Sequence, residues 1–354
     1  MRDRARNIDP SGVIAALLSA LLFGITTPVA KQLLGGMRPL LLAGLLYLGS
    51  GLGLTLLRAI QDRGWSPTHL SREDGTWLAA AILIGGVAAP ALLLTGLTQA
   101  DASSASLLLN LEVVFTAALA WIVFREPTAL RIVAGLLAIF VGGLVLAWPQ
   151  HLARASSLLA LAAIAAACLC WAVDNNLTRK ISGADARAIA LIKGLVAGVT
   201  NTSLALVLSV PLPRVTQALG AVTLGFLGYG LSLILYIRAL RQLGAARTSA
   251  YFATAPFIGA VVAVAVYGEP TDARFWLACL FMGAGVWLHV TERHDHLHLH
   301  EELTHTHAHA HDEHHQHEHA DWDGSEPHTH EHHHDRVEHS HAHFPDIHHQ
   351  HEHP

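Results

Sequence analysis

Three charged residues lie inside long apolar stretches of this sequence: Glu112, Asp174 and Lys193. An ionisable group in an apolar surrounding is costly, so it faces either a polar cavity or a partner of opposite charge. Asp174 and Lys193 lie on consecutive apolar stretches, equally far from the middle of the connecting segment 182–185. If both stretches are antiparallel helices, the two side chains lie at the same depth, and we predict that they form an ion pair. The alternative is that the first helix ends before Asp174, which then belongs to a solvated cap.

Glu112 lies nine residues after the start of the apolar run 103–124, close to its middle. A carboxyl group at that depth could exchange protons with an ion gradient, or stay ionised and bind a cation. The alternative is a permanently protonated carboxyl group that only joins neighbouring helices.

For Trp171, packing or a membrane interface is the alternative to lining a cavity. Polar and aromatic residues within the apolar stretches complete a candidate substrate-binding or coupling site: Thr26, Asn110, Trp171, Asn175 and Asn176.

The last 63 residues, 292–354, have a different composition, with 24 histidines, 15 acidic residues and two arginines. So few apolar side chains predict a disordered tail. Imidazole and carboxylate groups are ligands for zinc, nickel, cobalt and copper ions, so we predict metal binding, with incidental binding to a solvated tail as the alternative. The alternating His-x-His pattern allows many exchangeable sites and defines no single one. The candidate metal ligands are His305, His307, His309, His311, His314, His315, His317, His319, His328, His330, His332, His333 and His334.

The rest of the chain has the composition of a membrane protein. Over the whole sequence, 52% of the residues are hydrophobic and 14% are charged. Ten apolar runs have about 20 residues each, the length that a helix needs to cross a bilayer. Because the bilayer core offers no water to backbone groups, we predict an all-α membrane protein with ten transmembrane helices. The runs are 12–34, 39–59, 76–97, 103–124, 130–148, 156–178, 187–209, 217–240, 246–267 and 273–291.

Lysine and arginine residues are unequally distributed over the alternate connections between these runs. With a cytoplasmic N-terminus, fifteen of them fall on the cytoplasmic side and five on the outer side. Cytoplasmic loops of membrane proteins carry an excess of basic residues. We therefore predict a multi-pass protein of the plasma membrane, which in a bacterium is the inner membrane, with both termini cytoplasmic.

A short motif recurs in the two halves of the apolar region. The segment 126-EPTALR-131 reappears as 269-EPTDAR-274, an offset of 143 residues. Each copy could simply be the start of the helix that follows it. The offset, however, covers five apolar runs, and an odd number of membrane crossings inverts the second copy. A weaker match pairs 23-FGITTPVAK-31 with 171-WAVDNNLTR-179 and aligns Thr26 with Asp174.

These matches predict two inverted five-helix repeats, an organisation of many secondary transporters whose binding site lies where the halves meet. The predicted regions are a cytoplasmic N-terminus at 1–11, a first repeat at 12–148, a second repeat at 156–291 and the disordered tail at 292–354. Glycines within the runs are predicted to let neighbouring backbones approach closely, among them Gly49, Gly283 and Gly285.

The chain resembles a known family of membrane proteins over residues 10–291. It resembles the EamA-type permeases of the drug/metabolite transporter superfamily in three features. These are the ten predicted helices as five plus five, a Glu-Pro pair after helix four and again after helix nine, and the aromatic-to-basic pattern in helices one and six. The resemblance implies a secondary carrier of the plasma membrane, usually an exporter of small metabolites or drugs, with a central cavity and alternating access. It implies no particular substrate, and the histidine-rich tail departs from the family's usual pattern.

Three classes of function remain open. The first is a secondary carrier for small organic solutes whose tail regulates transport or collects metal. The second is an exporter of divalent zinc, nickel or cobalt ions, and the third is a membrane-tethered metal buffer or sensor without transport. No enzyme is predicted, since the soluble segments contain no phosphate-binding loop, zinc-protease motif or nucleophile set. The predicted partners are the lipid bilayer, a small-molecule or ion substrate, divalent metal ions and, as an alternative to a monomer, a second copy in a homodimer; no cofactor is required and no nucleic acid is bound.

Overall fold

The chain divides into two compact units, Met1–Glu292 and Arg293–Pro354. The described residues of the first unit are mainly helical, and the second unit contains short strands. The computed structural model describes residues 10–61, 72–124, 130–148, 155–181, 186–243, 245–291, 295–300, 303–309, 328–334 and 337–342.

The apolar runs of the first unit form helices, since only internal hydrogen bonds can satisfy their backbone in a bilayer. Their bounds agree with those of the predicted runs to within a few residues. The helices are α1 (Pro10–Leu33), α2 (Pro39–Gln61), α3 (Arg72–Ala81), α4 (Ala89–Leu97), α5 (Ala102–Leu108), α6 (Leu111–Phe124), α7 (Leu130–Ala147), α8 (Ala155–Lys180), α9 (Ala186–Val207), α10 (Val215–Gly225), α11 (Ser232–Leu243), α12 (Ala245–Phe252), α13 (Ala255–Tyr267) and α14 (Ala273–Val290).

Eight helical stretches within the described residues are long and apolar enough to cross a membrane. Two further apolar helices, Ala255–Tyr267 and Ala273–Leu288, are shorter. The structure is therefore that of a multi-pass helical membrane protein, with eight long candidate spans where the sequence predicts ten. The eight stretches are Ser11–Leu33, Pro39–Ile60, Asp74–Leu97, Ala102–Leu119, Leu130–Ala147, Leu158–Thr178, Arg187–Val207 and Val215–Ala239.

Four of the predicted runs are not regular α-helices from end to end. A π-helical turn joins α3 to α4 at Ile82–Ala88, and another joins α10 to α11 at Phe226–Leu231. Short turns separate α5 from α6 at 109–110 and α12 from α13 at 253–254. The second π-helical turn begins 144 positions after the first, and the second short turn follows the first by the same interval.

The two short turns share one hydrogen-bonding arrangement. The Asn110 amide donates to the Leu107 carbonyl oxygen at 2.9 Å, and the Thr254 hydroxyl donates to the Tyr251 carbonyl oxygen at 2.6 Å. Each polar side chain thus satisfies a carbonyl group in the last turn of the helix that ends there. An interruption inside an apolar run is stable because its free backbone groups find partners within the protein.

Helices from the first and second parts of this unit pack in pairs. Helix α2 packs against α9 and α7 against α14, while α8 packs against α4 and α6, and α1 against α11 and α13. A Cβ on Gly49 would lie 2.1 Å from the Val222 carbonyl oxygen, and one on Gly285 would lie 2.5 Å from the Gly135 carbonyl oxygen, so close backbone approach requires glycine there. The prediction for Gly283 is wrong, because no atom lies within 4 Å of a Cβ at that position.

The second unit contains four strands in two antiparallel pairs, where the sequence predicts disorder. Strand β1 (Asp295–His300) pairs with β4 (Val337–Ala342), and β2 (Leu303–His309) pairs with β3 (His328–His334). Antiparallel pairing uses backbone groups that every residue carries, and the His-x-His alternation matches the two-residue period of a strand. A segment poor in apolar residues can therefore adopt this pairing.

Candidate functional site

Asp174 and Lys193 form the ion pair predicted from their positions. Helix α8 continues through Asp174 to Lys180, so the alternative of an early helix end is wrong. The Asp174 side chain is 3% exposed and the Lys193 side chain 19%. Thr178, one turn further along α8, donates its hydroxyl to the second carboxylate oxygen at 3.1 Å. Both carboxylate oxygens of Asp174 therefore have a partner, and the exposed surface of the pair belongs mostly to the lysine.

The π-helical turn between α3 and α4 lies directly beside this pair. A Cβ on Gly85 would lie 2.0 Å from Oδ2 of Asp174, so only glycine fits next to the carboxylate. The Gly85 carbonyl oxygen accepts hydrogen bonds from the Tyr47 hydroxyl at 3.1 Å and from the Trp171 indole N–H at 3.0 Å. Trp171 is half-buried and lies well inside α8.

Asn201, which was not predicted as a site residue, adds a third donor to this turn. Its side chain is fully buried in α9, and its amide donates to the Gly86 carbonyl oxygen at 2.9 Å. The available signal was an asparagine near the middle of the apolar run 187–209. Donors from α2, α8 and α9 thus hold two consecutive carbonyl groups of the π-helical turn beside Asp174.

Glu112 of α6 and Asn175 of α8 are brought together. The Asn175 amide donates to the Glu112 carboxylate at 2.8 Å and lies 3.5 Å from the Thr116 hydroxyl, one turn further along α6. Asn175 is exposed and Glu112 is half-buried, so neither group is sealed from its surroundings. This contact joins α6 to α8, the helix that also carries Asp174.

The remaining predicted polar residues are buried and bond to backbone carbonyl groups. The Asn176 amide donates to the carbonyl oxygen one turn earlier in α8, at 2.8 Å. Thr26 donates its hydroxyl to the Phe23 carbonyl oxygen in α1, and Asn110 ends α5 as described above. These bonds hold the three side chains against their own helices.

Aromatic rings extend from this region to the second π-helical turn. The ring of Tyr229, within that turn, lies 5.7 Å from the ring of Tyr47 and 5.9 Å from that of Phe23, between centroids. Phe23 is the residue of α1 that the sequence match aligns with Trp171. Aromatic rings on α1, α2 and the second turn thus lie near the charged and amide groups of α6, α8 and α9.

A second set of polar contacts holds the connection between α4 and α5. The Lys31 ammonium group donates to carbonyl oxygens at the end of α4 and in the connection. The Glu269 carboxylate accepts from the backbone N–H groups of Ala102 and Ser103, at 2.8 and 2.7 Å. Glu269 of the recurring Glu-Pro motif therefore caps α5 and not the helix that follows it, whose N-cap is Asp272.

The described side chains include no group of three or more His, Cys, Asp and Glu residues that could hold a metal ion. The predicted metal ligands all belong to the second unit, where only the backbone of the strands is described. Those on the strands are His305, His307, His309, His328, His330, His332, His333 and His334. Those outside the described residues are His311, His314, His315, His317 and His319.

Comparison with known proteins finds a family, a relative and a solved structure that are similar to this chain. The EamA-like transporter family matches this chain twice, over residues 10–148 and 158–291. An uncharacterized transporter of Methanothermobacter thermautotrophicus is 28% identical over 295 residues, which cover 78% of this chain and 85% of that protein. A solved crystal structure, described only as that of a protein, shares the fold with a TM-score of 0.57 at 19% identity, over 78% of this chain and 96% of the other. Because the two family matches together cover most of its length, this chain belongs to the EamA-like transporter family.

Proposed function

We propose that this membrane transporter is a secondary carrier that exports small molecules across the plasma membrane by alternating access. The observation that carries the proposal is the polar cluster formed by Asp174 with Lys193 and by Glu112 with Asn175. Glu112 lies in the first family match and the other three residues lie in the second. A transporter's binding site is expected to contain charged groups among apolar helices, at the place where residues of its two halves meet.

Recurring irregularities support an arrangement of ten spans in two inverted halves. The family matches twice, and the π-helical turns and the short turns recur after 144 positions. Helices α5 and α6 occupy 102–124, and α12 and α13 occupy 245–267, so a broken fourth span in one half corresponds to a broken span of equal length in the other. Five spans separate equivalent points, which inverts the second half in the membrane.

The distribution of basic residues supports cytoplasmic termini. Fifteen lysine and arginine residues would then lie on the cytoplasmic side and five on the outer side. In this orientation the histidine-rich tail lies in the cytoplasm, where it collects metal ions or regulates transport in response to them. The Lys31 and Glu269 contacts lie at the outer face.

The energy for transport comes from an ion gradient or from solute exchange. Glu112 is the candidate coupling group, since its carboxyl group can take up a proton or hold a cation while its partner Asn175 remains in place. The Asp174–Lys193 pair and the neighbouring aromatic rings favour a small organic solute that carries a charged group and an apolar part.

Transport in inside-out vesicles tests the proposal. Vesicles contain the full chain or a version that ends at Glu292, and the fluxes measured are those of a panel of small organic cations, anions and zwitterions and of zinc, nickel and cobalt. We expect uptake of an organic solute driven by a pH gradient in both versions, and loss of this gradient-driven uptake in Glu112→Gln. The absence of any organic flux through correctly folded protein would contradict the proposal.

Divalent-metal export is the second candidate function, favoured by the 24 histidines of the tail. If zinc, nickel or cobalt flux requires Glu112 and Asp174, and loss of the tail changes only the affinity of transport for the metal ion, the protein is a metal exporter with a collecting tail. If the tail binds zinc and neither metal nor organic solute moves, the protein is a membrane-tethered buffer or sensor. Both outcomes overturn the export of organic solutes.

A further inference from the structure

Tyr47 of α2 contacts both π-helical turns with one side chain. Its hydroxyl donates to the Gly85 carbonyl oxygen of the first turn at 3.1 Å. Its ring lies 5.7 Å, between centroids, from the ring of Tyr229 in the second turn. The first turn belongs to the first family match and the second turn to the second match. Tyr47 therefore joins an irregular segment of one half to the corresponding segment of the other half.

Both turns lie within long candidate spans, where a helix can bend. The first turn interrupts Asp74–Leu97 and the second interrupts Val215–Ala239. A π-helical turn replaces the regular backbone hydrogen bonds of an α-helix, and sharp bends of helices concentrate at such turns. Alternating access requires the two halves to rearrange, and hinges lie where the backbone can absorb the change. The two turns are therefore the candidate hinges of the two halves.

The first turn is held by donors from three helices and lies against the polar cluster. Besides Tyr47, Trp171 of α8 donates to the Gly85 carbonyl oxygen at 3.0 Å, and Asn201 of α9 donates to the Gly86 carbonyl oxygen at 2.9 Å. A Cβ on Gly85 would lie 2.0 Å from the Asp174 carboxylate, so the carboxylate and the turn cannot move independently. A solute that displaces the Asp174 side chain therefore acts on the first turn directly.

The second turn packs closely against α1 and α2. The Tyr229 ring lies 5.9 Å from the Phe23 ring of α1, between centroids. A Cβ on Gly230 would lie 3.5 Å from the carbonyl oxygen of Ser50, three residues after Tyr47 in α2. Helix α2 thus packs against the second turn, while the Tyr47 hydroxyl extends from the same helix to the first turn.

We propose that Tyr47 is a positioning residue that couples the two π-helical turns, so that opening of the backbone in one turn favours opening in the other. The proposal rests on the alternating-access transport proposed above, in which both halves change together. The hydroxyl contacts the first turn and the ring contacts the second. Because one rigid phenol group makes both contacts, displacement of either turn disturbs the packing of the other, which is a physical route for coupling.

Hydrogen–deuterium exchange of the full-length protein in detergent, read by mass spectrometry, measures backbone opening at Ile82–Ala88 and at Phe226–Leu231 separately. Asn201→Ala removes a donor of the first turn and keeps both contacts of Tyr47. We expect about fivefold faster exchange at the first turn, the effect of one lost hydrogen bond on local opening, together with faster exchange at the second turn.

The same variant is then measured in a Tyr47→Phe background, which keeps the ring and removes the hydroxyl. We expect Asn201→Ala to accelerate exchange at the first turn there and to add nothing at the second turn, because the contact that transmits the change is gone. Trp171→Phe is a second perturbation of the first turn. It removes the other donor to Gly85, keeps an aromatic ring and is compared in the same two backgrounds.

Two results would overturn the coupling. In one, neither perturbation changes exchange at the second turn in the parent protein, so the turns are independent. In the other, the second turn responds equally in the parent and in Tyr47→Phe, so Tyr47 only packs between the helices. The assay uses no solute and measures no transport, so failure of the coupling and failure of the proposed export are separate results.

Discussion

At the scale of single residues, Asp174 is a buried carboxylate whose counter-charge comes from Lys193 on the next helix. Removing only the lysine leaves the carboxylate buried without a cation, whereas neutralising both removes charge and partner together. We expect Lys193→Met to lower the free energy of unfolding by roughly 3 kcal/mol, and the double variant with Asp174→Asn to regain part of that loss. Thermal unfolding of the parent protein, both single variants and the double variant in detergent measures the coupling. Losses that simply add would show that the residues do not interact.

Glu112 permits a separation of binding from coupling. In Glu112→Gln the amide oxygen can still accept the hydrogen bond from Asn175, but the side chain can no longer exchange a proton. We expect solute exchange between the two sides of a vesicle to continue while accumulation driven by a pH gradient is lost. The control, Asn175→Ala, removes the hydrogen bond and keeps the carboxyl group, so gradient-driven accumulation should persist. Accumulation by Glu112→Gln with unchanged pH dependence would exclude Glu112 from coupling.

At the scale of helices, the π-helical turn at Ile82–Ala88 depends on a glycine beside a charge. A methyl group on Gly85 would overlap the Asp174 carboxylate, so we expect Gly85→Ala to destabilise the protein by about 1–3 kcal/mol and to reduce transport. Gly75 lies in α3 of the same span and has no atom within 4 Å of a Cβ. Gly75→Ala should therefore leave both properties intact or raise stability slightly. Equal behaviour of the two variants in unfolding and transport assays would contradict the close packing of Gly85 against Asp174.

The connection between α4 and α5 is held by Glu269, a residue of a distant loop. Its carboxylate accepts two backbone hydrogen bonds at the start of α5. We expect Glu269→Ala to raise the rate at which a thiol reagent labels Gln99→Cys in that connection, because the start of α5 loses its cap. Asp272→Ala is the control, since Asp272 caps the other helix, α14, and should cost stability without changing the labelling rate. An unchanged rate in Glu269→Ala would mean that the cap does not hold this connection.

At the scale of the whole molecule, the transporter unit ends at Glu292 and the tail forms a second unit. We expect the version that ends at Glu292 to insert into the membrane and to unfold at the same temperature as the full chain, because its helices contain their own core. Tight zinc binding should be confined to the full chain. Differential scanning calorimetry and zinc titration of both versions in detergent measure these two properties. A lower unfolding temperature without the tail would show that the tail is part of the transporter's fold.

The sequence alone determined where the helices lie, because a bilayer requires about 20 consecutive apolar residues, which is a local property of the chain. It also determined the partner of Asp174, because Asp174 and Lys193 are equally far from the middle of the connecting segment 182–185. The sequence did not predict that helix α5 ends just before Asn110. Such a break inside an apolar run is stabilised by hydrogen bonds to backbone groups and leaves no change in composition.

The tertiary structure alone decided which distant groups meet. Glu269 caps a helix that begins 167 positions earlier in the chain, although its local sequence reads as the start of the following helix. Gly85 is required by a carboxylate on another helix, and Asn201 is engaged by a π-helical turn that no local pattern predicts. In the tail, composition predicts metal ligands, whereas the pairing of β1 with β4 and of β2 with β3 depends on the partner strand and not on the local alternation.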